Sequence, residues 1–133
     1  MKIELKKNIM SSVSDYLMNL TLRGKVSRAR VKLIKGIDEA LLEMGEDIEQ
    51  IKSETEEKSK DREKQLDDLL HEVAIIDMTK HERLIKDFYE CLLDYDEDLN
   101  GREGLLHDEV LQMIEEAEAQ DNSVEDAQFQ EVE

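Results

Sequence analysis

The longest regular run of apolar positions in the chain is Ile34, Ile37, Leu41, Met44, Ile48 and Ile51, spaced alternately by three and four residues. This is the a/d seam of a heptad repeat, and it predicts one long helix with Ser27 as its N-cap. Gly36 and Gly45 fall inside it, each costing about 1 kcal/mol of helix stability relative to Ala. The run is also shorter than a free-standing coiled coil needs. One arm of an antiparallel hairpin is therefore expected, with an intermolecular coiled coil as the alternative.

Upstream, Ile9, Val13, Tyr16, Leu17 and Leu20 share one helical face, which predicts a first helix over residues 4–20. Gly24 can take the left-handed conformation that closes such a helix. Downstream, KSETEEKSKDREKQ (residues 52–65) has no apolar side chain, so the pattern leaves open whether it is helix or loop. Continuing the seam would bury Thr55, Lys58, Arg62 and Gln65, whereas Leu66, Leu69, Leu70 and Val73 start a new stripe. A reversal is predicted over residues 57–63.

A third helix is predicted over residues 64–76, ending in VAII, where a short strand is the alternative reading. Thr79-Lys80-His81-Glu82 matches a capping box and predicts a helix from Lys80 that buries Leu84, Ile85, Phe88, Leu92 and Tyr95. After the stretch DEDLNG, a last amphipathic helix follows from Leu105, Leu106, Val110, Leu111 and Ile114. The expected fold is all-α: a long helical hairpin plus shorter amphipathic helices, four to five in number. Residues 1–118 read as one domain, and the acidic residues 119–133 as a disordered tail, too poor in apolar groups to offset their ordering entropy.

Composition agrees with helices. Of 133 residues, 40% are charged and 4% aromatic, with no Pro and no Trp, whereas a sheet of this size would recruit more aromatic and turn residues. The net charge of −17 hides a polarity: residues 1–36 carry nine bases against two acids, a net of +7, and residues 37–133 carry nine against thirty-three, a net of −24. Either the basic end packs on acidic helices of the same fold, or the two ends meet different partners. Cys91 stands alone and no stretch approaches 18 apolar residues, so a cytoplasmic protein without a membrane span is expected.

Catalytic patterns are poor. His71-Glu72 and His81-Glu82 begin like a zinc-binding H-E-x-x-H, but the second histidine positions hold Ile75 and Ile85. Cys91 has no basic neighbour in sequence and reads as a small buried hydrophobe. Neither an enzyme nor a cofactor is expected. RGKVSRARVKLIK gives a basic face of Arg23, Lys25, Arg28, Lys32 and Lys35, yet without interleaved aromatics and in an acidic chain it reads as a solvated or neutralised face rather than a nucleic-acid site.

DEDLNG opens like a calcium loop, with Asp96, Asp98 and Asn100 at loop positions 1, 3 and 5 and Gly101 at the turn. Position 12, which needs a bidentate Glu, is His107. The metal reading therefore stays weak, and a helix-terminating Asn-Gly turn is preferred.

LTLRGKVSRARVKLIK, LLHEVAIID and DEVLQMIEEAE together resemble a family of small proteins of unknown function from phages and prophages of Gram-positive bacteria. The likeness spans roughly residues 3–118. It implies a place among phage structural and tail-region genes and no catalytic residue, and the acidic tail and the polar stretch 52–65 depart from the family's pattern.

The expected function is a helical protein-interaction module, an accessory or chaperone in virion or tail assembly, in the host cytoplasm or on the virion. Its partner would be a phage structural protein or a second copy of itself, bound through Val31, Ile34, Ile37, Leu41 and Met44. The alternatives are an acidic inhibitor that mimics nucleic acid before a host protein, and a calcium module at residues 96–107.

Overall fold

The structure, a computed structural model, describes residues 1–95 and 98–132, with side chains to Asn122. It is mainly α-helical with one small sheet. Strand β1 (Lys2–Lys6) leads through a 3₁₀ turn into helix α1 (Met10–Met18), and helix α2 (Gly24–Glu54) follows. Helix α3 (Lys60–Leu70) leads into strand β2 (Val73–Asp77), and a second 3₁₀ turn into helix α4 (Glu82–Leu93). Helix α5 (Gly101–Val132) closes the chain.

The first predicted helix needs correcting, because residues 4–6 belong to a strand and 7–9 to a 3₁₀ turn, leaving Met10–Met18 as helix. In KIELK, Ile3 and Leu5 are buried while Lys2, Glu4 and Lys6 are exposed, a period of two. β1 pairs antiparallel with β2 in the register Ile3 to Ile76 and Leu5 to Ala74. The VAII segment thus takes its strand alternative, and the third helix is shorter than expected, ending at Leu70. The polar-apolar alternation of KIELK is the local signal of this strand, but at five residues it is short, and its partner lies some seventy residues away.

Helices α2 and α5 pack on this sheet, and α1 and α4 pack against those two helices, closing one apolar core. Ile3, Met10, Val13, Leu17, Leu33, Ile37, Ile85, Phe88, Leu92, Val110 and Ile114 are wholly or almost wholly buried. Helix α2 crosses the sheet at Gly36, where an added Cβ would lie 2.5 Å from Ile76 Cγ2 and 3.3 Å from Met78 Cε. The glycine that weakens the heptad reading is thus the point of closest approach between helix and strand. Past Ile37 no residue of α2 is fully buried, and its last turns share a cleft with α3, lined by Ile51 and Leu69.

The hairpin reverses at residues 55–59, slightly before the expected 57–63. Lys58 takes a left-handed φ of 60°, and Ser59 caps α3 by accepting the Arg62 amide at 3.1 Å. Arg62 reaches back to donate to Thr55 Oγ1 (3.0 Å), Lys52 O (2.7 Å) and Thr55 O (2.8 Å), satisfying carbonyls left over at the end of α2.

Three predicted caps are corrected. Helix α2 begins at Gly24, which has φ 58°, so Ser27 lies within its first turn and accepts a bond from Arg30 instead. The Thr79–Glu82 capping box is absent: Thr79 donates its amide (3.0 Å) and hydroxyl (2.5 Å) to Asp77 Oδ1, and Glu82 pairs with the Met1 amine. Asn100 does not terminate a helix but opens α5, as described below. That helix runs through the expected tail boundary at Ala119, and Asp121 lies 3.5 Å from the Met1 amine.

Candidate functional site

The five residues expected to bind a partner are divided by the fold. Ile34 and Ile37 belong to the core, Leu41 and Met44 are half-buried against it, and Val31 is exposed. Most of the seam is therefore already covered by the protein's own strand and helices. The surface that α2 leaves open lies beside it, on the flank facing β2.

On that flank a groove of about 740 Å³ is walled by Lys32, Lys35, Gly36, Glu39, Ala40 and Glu43 on one side and by Ile75–His81 on the other. Lys25 Nζ lies 2.9 Å from Asp87 on α4, while Gly36 meets Ile76. Helix α2 therefore runs opposite to β2, with Lys32 and Lys35 toward Thr79–His81 and Glu39 and Glu43 toward Ile75. Lys80 adds to the basic end. The groove is charged oppositely at its two ends.

Its floor includes the outer edge of β2. Lys7 donates its amide to Glu72 O (3.0 Å) and Met78 donates to Met1 O (2.9 Å), so in this register the inward-bonding residues of β2 are Ala74 and Ile76. The backbone groups of Val73, Ile75 and Asp77 point the other way, and among the described residues no strand pairs with them. Ile75 is also 62% exposed and Val73 48%, leaving two β-branched side chains open on the outer face. The Asp77 carboxyl is held below its usual range by the bonds from Thr79, with Lys2 helping.

Of the predicted basic face, Lys25 is neutralised by Asp87, whereas Lys32 and Lys35 enter the groove. Arg23 and Arg28 are exposed, and no ion pair among the described residues involves them. The basic residue that sequence reasoning passed over is Arg30, which turns inward to donate to Leu20 O and to Ser27 Oγ (2.8 Å), locking the α1–α2 turn.

The calcium-like stretch has another role. Asn100 Oδ1 accepts the Glu103 amide at 2.8 Å while Asn100 Nδ2 donates to Glu103 Oε1 at 2.8 Å, a reciprocal cap on α5. Both ends of the Asn100 amide are thereby engaged. Asp98 is exposed, and Asp96 lies outside the described residues. Among the described residues no group of three His, Cys, Asp or Glu is placed to hold a metal ion.

His107 faces inward. Its Nε2 lies 3.0 Å from Leu92 O, an acceptor, so Nε2 carries the proton and Nδ1 accepts from the Tyr16 hydroxyl at 2.5 Å. Burial drives the Tyr16 phenol pKa well above its usual value, with Tyr95 and Glu103 adding to it. This chain of bonds ties α1, α4 and α5 together beside a cleft of about 440 Å³ that also takes in Ser12, Arg102 and Glu103. Cys91 is half-buried on α4.

Fold and surface together define a predominantly helical protein with a two-stranded sheet, a long two-helix arm and an open strand edge in a charge-polarised groove. No helix among the described residues is long and apolar enough to cross a membrane. The chain matches no protein-family model, and comparison with curated proteins and with solved structures gives no match.

Proposed function

We propose that this chain is a non-enzymatic protein-interaction module, acting as an accessory or chaperone in the assembly of phage virions or tails. The observation that carries the reading is the free edge of β2 beside the exposed Ile75 and the charged flank of α2. A strand edge offers backbone donors and acceptors in a row, and flanking side chains then select what may pair there. Natural proteins usually blunt such an edge, and here the outer face of β2 carries Val73 and Ile75 with only Asp77 as a charge.

The phage assignment rests on the sequence resemblance. Two of the three stretches that carry it meet at this site: LLHEVAIID supplies β2, and LTLRGKVSRARVKLIK supplies the start of α2 with Lys32 and Lys35, while DEVLQMIEEAE lies in α5. Capture of virion or tail components from phage-infected cells by the full chain tests the reading, with Ile75→Lys as the control. Recovery of such components by the wild type and their loss with Ile75→Lys is expected. Equal recovery by both would remove the β2 edge from the function.

A further inference from the structure

We infer that the occupant of the β2 edge is a second copy of this chain, the two β2 strands pairing antiparallel across a two-fold axis at Ile75. This rests on the interaction reading above and names its partner. In that arrangement the outward-bonding residues Val73, Ile75 and Asp77 of one copy face Asp77, Ile75 and Val73 of the other. The two small sheets merge into one of four strands, and the exposed Ile75 side chains cover each other.

Charge singles out self-pairing. One residue of strand advances as far as about two residues of helix, so with Gly36 at Ile76 the helix is level with Ile75 near Glu39. A two-fold axis there sets the two α2 helices antiparallel. Lys35 of each copy then comes opposite Glu43 of the other, with Lys32 just beyond, while Glu39 lies near the axis itself. A surface that is basic at one end and acidic at the other is self-complementary under a two-fold axis, and mismatched to a uniformly charged segment. At physiological ionic strength screening over about 8 Å keeps the distant acids of the two copies from outweighing these contacts.

Sedimentation of the purified full chain from about 1 to about 300 µM tests this, a span suited to an interface of this modest size. Two variants are compared, Lys32→Glu with Lys35→Glu, and Glu39→Lys with Glu43→Lys, each checked for native helicity by circular dichroism. The wild type is expected to double in mass as concentration rises, and each variant alone to dimerise about tenfold or more weakly. An equimolar mixture of the two restores dimerisation, because an all-acidic flank then faces an all-basic one. Ile75→Lys, at an exposed position, lowers dimerisation by the same order.

A wild type that stays monomeric overturns the inference and assigns the edge to a strand of another protein or to none. Dimers that survive in every variant, or a mixture that fails to restore them, overturn it equally. If the wild type is monomeric while Ile75→Lys still abolishes capture of virion components, the interaction reading stands and only self-pairing falls.

Discussion

Tyr16 and His107 show how single residues settle roles that spacing leaves ambiguous. His107 stands where a calcium loop would need its bidentate carboxylate, and the fold spends it on a bond that fixes α1 against α5. Because Nε2 must keep its proton for Leu92 O, Nδ1 cannot change tautomer to suit a new neighbour. Tyr16→Phe therefore leaves an unsatisfied acceptor, and denaturant titration is expected to show a loss of about 1–3 kcal/mol. The phenols also set the alkaline limit. Tyr16 is raised chiefly by burial, and Tyr89 is pushed up to about 12 chiefly by its hydrogen bond to Glu115, against an unfolded value of 10.0. Their contribution is complete below pH 10 and is lost as pH rises through the folded values, so melting temperature should fall above pH 10, less steeply in Tyr16→Phe. Little of this was legible beforehand, since Tyr16 and His107 are ninety-one residues apart and meet only through the core.

At the scale of elements, periodic patterns carried α2, α4 and α5, because long helices repeat their apolar spacing many times over. Strand β1 escapes that logic for the opposite reason: five residues give few periods, and its partner lies some seventy residues away. The caps also misled. Asn-Gly and Thr-x-x-Glu are compatible with more than one terminus, and the competing partners Asp77, Met1 and Glu103 decide among them. Glycine roles are likewise set by tertiary contacts. Gly36→Ala would force a Cβ into Ile76 and should destabilise by about 1–3 kcal/mol, whereas Gly45, with nothing within 4 Å, should gain up to about 1 kcal/mol as Ala. Thermal melts of the two variants should shift in opposite directions. At the hairpin tip, Lys58→Gly relieves a left-handed φ of 60° and should raise stability by about 1 kcal/mol, read as a melting shift of about 4 °C.

For the whole molecule, the charge polarity of the sequence proves to have two destinations. Lys25 is neutralised within the fold by Asp87, as one expectation held, while Lys32 and Lys35 are left on an open flank beside a free strand edge. Of the apolar seam, Ile34 and Ile37 are core and Leu41 and Met44 half-buried, so the proposed interaction surface shifts to the open edge of β2. The amides of β2 report on that shift directly. Amide hydrogen exchange followed residue by residue should find Ala74 and Ile76 protected at every concentration, since β1 holds them. The Ile75 amide should exchange freely in dilute protein and gain protection as concentration rises and the second strand docks. An Ile75 amide already protected in the dilute monomer, or one that never gains protection, would contradict the account.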